Sequence, residues 1–248
     1  MFKVFGIRME KAMTINLFNQ DCMIAMRRMK DKQFQLAICD PPYGVNIGQV
    51  VGGGKPFGSQ GENRRGKVIQ PKIYRGFDDS RIPDAEYFME LKRVAENQII
   101  FGGNYFIEHL KNAPCFIVWD KDNSGNFADC ELAWTSFKTA TRKFTYRWNG
   151  MLQQDMKNKE IRIHPTQKPV RLYEWLLKNY AKEGDNVFDS HAGSMSSVIA
   201  AIIMGYSITA YEIDGDYFNA GCERVKRFLG QGDLMRGDVR LVINGNEE

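Results

Sequence analysis

Leu36-Ala37-Ile38-Cys39-Asp40-Pro41-Pro42-Tyr43-Gly44 decides how the rest of the chain is arranged. Four apolar residues in a row read as a short buried strand. The two prolines that follow disfavour both helix and further ladder pairing, so the chain leaves the sheet at Asp40 in a stiff, extended turn. That turn carries a carboxylate, backbone carbonyls and an aromatic face within four residues. An amine can donate to Asp40 and to the Pro41 carbonyl while its ring stacks on Tyr43, which is what a site for a flat, amino-bearing base requires. Taken alone, the stretch equally suits a Pro-Pro turn that caps a core strand, with Tyr43 as packing.

Upstream, residues 15–18 read as a strand, 19–21 as a turn and 22–29 as a helix, with Asp21 suited to cap its start. Downstream, residues 45–76 lose all periodicity. They are rich in glycine and carry Lys55, Arg64, Arg65, Lys67, Lys72 and Arg75 against the single acid Glu62. So long a loop is usually functional or disordered. It reads either as a solvated insertion or as an arm that contacts DNA, mobile until phosphates order it. Residues 84–95 predict a helix with Tyr87, Phe88, Leu91 and Val94 on one face. Strands follow at 99–101 and 115–119, then an apolar segment at 127–137, both of the latter read as packing. Strands separated by helices predict a mainly parallel sheet.

Residues 138–162 form a second basic stretch, with Lys138, Arg142, Lys143, Arg147, Lys157, Lys159 and Arg162 interleaved with Phe144, Tyr146 and Trp148. Cations hold phosphates and aromatics stack on bases. A polar edge hairpin with its aromatics on the core has the same pattern. His164-Pro165-Thr166-Gln167-Lys168-Pro169 then leads into an amphipathic helix bearing Leu172, Trp175, Leu176 and Tyr180, whose first turn offers free N–H groups to a carboxylate. The last unit is a strand at 186–188, the loop Asp189-Ser190-His191-Ala192-Gly193-Ser194, a helix at 196–204 stopped by Gly205, and a strand at 207–211 ending at Glu212. A carboxylate roughly 20 residues past such a turn can accept both hydroxyls of a ribose. The glycine pattern of a pyrophosphate site is absent. A short strand at 239–243 has no assigned role.

At 248 residues, 43% hydrophobic and 26% charged, the chain suits one soluble α/β domain. Its net charge of +4 points only weakly to nucleic acid. The five cysteines show no metal-ligand spacing and the three histidines are scattered, so no metal site is expected. No apolar run reaches the ~18 residues of a membrane span, and residues 1–13 lack the apolar core of a signal peptide, so a cytoplasmic protein is expected.

Taken together and in this order, the Asp-Pro-Pro-Tyr turn, the basic stretch, the His-Pro-Thr-Gln-Lys-Pro segment and the final loop resemble the β group of amino-directed DNA methyltransferases. The resemblance runs from about residue 15 to residue 229 and is similar to the stand-alone enzymes of phages and prophages. It implies a Rossmann-like S-adenosylmethionine-dependent methyltransferase fold, with helices on both faces of the sheet. Asp40, Pro41, Pro42 and Tyr43 would be catalytic, and Asp at the first position resembles the adenine-N6 enzymes, where many cytosine-N4 enzymes carry Ser. The cofactor, S-adenosylmethionine, would be held by Asp21, His164, Thr166, Gln167, Lys168, Asp189, His191, Gly193, Ser194 and Glu212. DNA would be held by Lys55, Arg64, Arg65, Lys67, Arg142, Lys143 and Arg147. The loop departs from the commoner Asp-Pro-Phe-x-Gly-Ser-Gly form at Ser190, His191 and Met195. The implied reaction is direct methyl transfer to a flipped adenine, which needs no covalent nucleophile. Cytosine-N4 transfer, a non-catalytic DNA-binding module, and RNA or protein methylation are the alternatives. DNA is the expected partner, no membrane is, and a homodimer is left open.

Overall fold

The strand that precedes the Pro-Pro turn, β2 (Phe34–Cys39), lies near the middle of a ten-stranded sheet in the computed structural model. The structure describes residues 12–46, 61–62, 68–69, 76, 79–80, 82–123, 128–149, 152–231 and 238–247. From edge to edge the sheet runs β14 (Asn246–Glu247), β13 (Val239–Ile243), β1 (Met13–Asn19), β12 (Ser207–Glu212), β11 (Asn186–Asp189), β2, β5 (Ala95–Phe101), β7 (Cys130–Thr135), β6 (Phe116–Asp120) and β8 (Arg142–Thr145). The six strands from β13 to β5 are parallel to their neighbours, β7 runs antiparallel to both β5 and β6, and β14 folds back on β13. Two small ladders stand apart, β3 (Gly61–Glu62) with β4 (Val68–Ile69) and β9 (Trp148–Asn149) with β10 (Leu152–Gln153).

β2 is apolar throughout because it is covered on both faces, the usual condition of a parallel strand. Leu36 and Ile38 join one core cluster, and Ala37 and Cys39 join the other, as the two-residue period of a strand demands. The first cluster is roofed by α3 (Val170–Tyr180), α4 (Ser196–Met204) and α5 (Gly215–Leu229); the second by α1 (Cys22–Met26) and α2 (Ala85–Val94). α4 lies deepest, with seven of its nine residues buried. Each Val or Ile there contributes about 1.5–3 kcal/mol of burial. The Asp84 carboxylate caps α2 by accepting from the Tyr87 N–H at 3.0 Å, and Gly205, at φ 82°, closes α4 in the left-handed conformation.

The connections diverge between β11 and β2. From β11 the chain passes over one face through α4 to β12; from β2 it passes over the other through α2 to β5. Right-handed crossovers in opposite directions require this, and the carboxyl ends of the two central strands are left side by side with their loops splayed apart. Such a switch point is where open α/β sheets bind ligands.

The Rossmann-like α/β fold and mainly parallel sheet match the sequence-based expectation. Boundaries differ: α1 stops at Met26, three residues early, and β5 begins at Ala95 rather than at residue 99. No helix among the described residues is long and apolar enough to cross a membrane. Lys55, Arg64, Arg65, Lys67, Lys72 and Arg75, and with them the expectation of a mobile basic arm, lie outside the described residues.

Candidate active site at the switch point

Asp40 follows the last residue of β2, and its carboxylate is held from two sides. The Tyr43 hydroxyl donates to Oδ1 at 2.5 Å, and the ammonium of Lys168 donates to Oδ2. Lys168 Nζ also lies 3.3 Å from the Tyr43 hydroxyl oxygen and 3.1 Å from Glu131 Oε2. Glu131 is paired in turn with Lys121 at 2.5 Å. Asp40, Lys168, Glu131 and Lys121 thus form a chain of alternating charge that runs from the switch point into β7 and the end of β6. Burial alone would raise the Glu131 carboxyl, but Lys168 and Lys121 hold it down to about 2. Burial alone would lower Lys168; Asp40 and Glu131 more than offset this and raise it above the usual lysine value.

The turn fits because β5 is followed by two glycines. A Cβ on Gly102, which sits at φ 69°, would lie 2.3 Å from the Tyr43 ring, and one on Gly103 would lie 2.8 Å from the Trp134 backbone nitrogen. The Tyr43 ring packs against Tyr105 with centroids 5.1 Å apart and planes 14° from parallel, and Tyr105 is 47% exposed.

The second half of the site begins where β11 ends. Asp189 Oδ1 accepts from the His191 N–H at 3.0 Å and Oδ2 from the Ser197 hydroxyl at 2.5 Å, so this carboxylate ties the loop to α4. Burial pushes it up to about 7. Glu212, at the end of β12, accepts from the Gly193 N–H at 2.8 Å and the Asp214 N–H at 2.9 Å. Burial raises it as well. A carboxylate offers about four lone-pair sites, so these backbone donors, the Ile213 N–H among them, do not fill it. Space beside Gly193 is open, because a Cβ there would meet nothing within 4 Å.

The three unusual loop residues are accommodated locally. Ser190 bonds the Tyr87 hydroxyl and the His191 Nδ1, both at 2.8 Å. Burial pushes His191 down to about 4, which keeps it neutral near pH 7. Met195 takes a left-handed φ of 59°, a strained choice for a side chain of this kind. Its side chain fills the space opposite Gly221 on α5, where a Cβ would lie 2.9 Å from the Met195 Cγ.

The remaining residues expected to hold the cofactor do more local work. Asp21 caps α1, accepting from the Met23 N–H at 2.8 Å. His164 Nδ1 meets the Thr166 hydroxyl at 3.0 Å, and its ring packs edge-on against Tyr217. Gln167 accepts from the Ile163 N–H with its side chain and from the Trp148 indole with its carbonyl. The Ser194 carbonyl accepts from Arg224, whose other nitrogen pairs with Glu160 at 2.7 Å. Glu160 also caps α3 at the Val170 N–H, so one buried pair joins the loop, α3 and the end of the second basic stretch.

In that stretch the aromatics and the cations part company. Phe144 and Tyr146 pack against the core with Trp175, and Trp148 is buried, as in the edge-hairpin reading. Arg142, Lys143 and Arg147 face outward, Arg142 over the Trp175 ring, Lys143 3.2 Å from Asp120 and Arg147 2.5 Å from Asp122. Lys121, Glu131 and Tyr105 were not foreseen as part of any site. The segments holding Lys121 and Glu131 pack into the core as expected, and these two residues also join the ion chain that ends at Asp40. Only the antiparallel pairing of β6 with β7 brings the two together.

The family model described as DNA methylase, for N6 and N4 enzymes, matches residues 34–223. Over 66 residues the chain is 35% identical to DNA adenine methyltransferase YhdJ of Escherichia coli (strain K12), a match that covers 27% of this chain and 22% of that protein. Among solved structures, the M1.HpyAVI–SAM complex aligns with a TM-score of 0.51 at 18% identity, covering 85% of this chain and 99% of that one. TTHA0409 of Thermus thermophilus, complexed with S-adenosyl-L-methionine, aligns at 0.51 and 13% identity over 92% and 99%. The cytosine-N4-specific PvuII DNA methyltransferase aligns at 0.53 and 12% identity over 92% and 96%. At these identities the structural likeness is one of fold.

Proposed function

The chain belongs to the N6/N4 DNA methylase family, whose model spans residues 34–223, and from that premise we propose that it transfers the methyl group of S-adenosylmethionine to the N6 amine of an adenine extruded from DNA. The observation that carries this reading is the Asp40 carboxylate held at the switch point by Tyr43 and Lys168, beside the loop that leaves β11. Both of its oxygens accept hydrogen bonds there, so the group suits a substrate that donates.

Asp40 and the Pro41 carbonyl would take the two amine hydrogens and aim the nitrogen lone pair at the methyl group. The stacked pair of Tyr43 and half-exposed Tyr105 offers an aromatic platform to the extruded base. The cofactor supplies an activated methyl group when bound. The residues present suit it: Glu212 has lone pairs left for ribose hydroxyls, and the space beside Gly193 is open. Asp40 would take the proton that the amine gives up on accepting the methyl group and pass it to solvent. Holding the two reactants in line supplies much of the acceleration. Cytosine presents the same amine geometry, and a cytosine-N4 enzyme is among the structural neighbours, so that base is the second reading.

Labelled S-adenosylmethionine offered in parallel with DNA, RNA and protein tests the proposal. Label should enter DNA, and label confined to RNA or protein rejects it. Glu212→Ala is expected to weaken cofactor binding by about 1.5–3 kcal/mol, roughly ten- to a hundredfold, through loss of a charged acceptor. Calorimetry showing unchanged affinity would place the cofactor elsewhere. Arg142→Ala with Lys143→Ala should lower DNA affinity and reduce the slope of log affinity against log salt by about 2, since each phosphate contact contributes about 0.9. Cofactor affinity should not change. An unaltered salt slope would remove β8 from the DNA interface.

A further inference from the structure

Lys168 stands in the sequence among residues that the family resemblance gives to the cofactor, yet its ammonium is turned to the acceptor side of the site. We propose that Lys168 is a positioning residue for methyl transfer, clamped by Glu131 so that it holds the Asp40 carboxylate turned toward the incoming amine. This inference rests on the function proposed above and adds a residue and a device to it.

An ammonium has three N–H donors, and Lys168 faces three oxygens of its own chain: Asp40 Oδ2, Glu131 Oε2 at 3.1 Å and the Tyr43 hydroxyl at 3.3 Å. The contacts to Asp40 and Tyr43 are hydrogen bonds and the one to Glu131 is an ion pair, so all three hold the ammonium on the acceptor side. The side chain is 4% exposed, and Nζ lies 4.7 Å from the centre of the Phe101 ring, so its place is set on all sides. A buried cation with one partner is costly; with two carboxylates it stays charged. Glu131 is fixed by Lys121, so the clamp is anchored outside the switch point.

The groups that face Asp40 are Tyr43 on its own turn, Lys168 before α3, Tyr173 on α3, Asp189 at the end of β11, and Glu131 of β7 beyond Lys168. Lys168 is the cation of this set. Without it Asp40 would keep the Tyr43 hydroxyl at Oδ1 and lose its partner at Oδ2, so the plane of the carboxylate would no longer be fixed. A carboxylate free to turn aims its acceptor oxygens at the amine less often, and transfer would slow.

The test is single-turnover methylation of DNA at saturating cofactor, with calorimetric cofactor affinity and circular dichroism. Lys168→Met is expected to lose at least about tenfold in rate and to bind cofactor within about twofold of wild type. Lys168→Arg should recover part of the rate. Glu131→Gln, which leaves Lys168 in place but weakens its clamp, should lower the rate by less, again with cofactor affinity unchanged. Lost cofactor affinity in Lys168→Met would make Lys168 a cofactor residue and overturn the inference. A wild-type rate would also overturn it. Should Lys168→Met not fold, a wild-type rate in Glu131→Gln overturns it instead. A wild-type protein that labels no DNA removes the functional reading itself, an outcome distinct from all of these.

Discussion

Asp40→Ala should all but abolish methyl transfer. The single-turnover rate is expected to fall at least about a hundredfold, roughly 2.7 kcal/mol of barrier, while S-adenosylmethionine still binds. The expectation follows from where the carboxylate is held, between the Tyr43 hydroxyl and the Lys168 ammonium, with its remaining lone pairs open to an amine. Removing it also leaves a buried lysine with one acid fewer. Breaking such a pair costs about 3–5 kcal/mol of stability, so melting must be followed beside the rate. Asp40→Asn keeps the volume and separates the two effects: its amide cannot act as a charged acceptor, and its rate should fall nearly as far. Either variant retaining more than about a tenth of the wild-type rate would contradict the assignment.

Asp189 should make the protein less stable as pH rises toward 8. Its carboxyl is buried at the end of β11, and that burial pushes it up to about 7, against the hydrogen bonds from Ser197 and His191 that favour the ionised form. In the unfolded chain the group titrates near ~3.9. The folded protein therefore holds this proton more tightly, so the contribution is complete below about pH 4 and lost as pH passes through about 7. The full shift corresponds to on the order of 4 kcal/mol. His164 and His191, pushed down by burial to about 3 and 4, give the opposite slope below about pH 6.5. They contribute equally to wild type and to Asp189→Asn, which preserves the acceptor for the His191 N–H. The difference in melting temperature between the two should therefore move in favour of the variant from about pH 5 to 8. A difference that does not change with pH would place the titration on another group.

How much of this was legible in the sequence follows from the range of the interactions. The exit of the chain at Asp40 could be read because two adjacent prolines forbid the alternatives. Asp21 could be read as a cap because it acts within two residues of itself. Glu212 was placed at its strand end by the strand-loop-helix-strand order, but not its bonds to Gly193 and Asp214, which depend on how the loop folds back. The direction of Lys168 could not be read. Its partner Asp40 lies 128 residues away, and the local match to a cofactor segment gives no sign of which way the side chain turns. Lys121 and Glu131 stood at the ends of apolar strands, where a charge usually marks solvent. The register of β6 with β7 was needed to bring them together.

The central claim is tested most directly by the chemical identity of the product. DNA incubated with the protein and S-adenosylmethionine bearing a deuterated methyl group should be digested to nucleosides and resolved by mass spectrometry. The expected result is deuterated N6-methyladenine nucleoside, absent when Asp40→Ala replaces the wild type. Deuterated N4-methylcytosine alone would move the reaction to the other base. DNA that carries no label at all, from folded protein shown to bind the cofactor, would contradict the account.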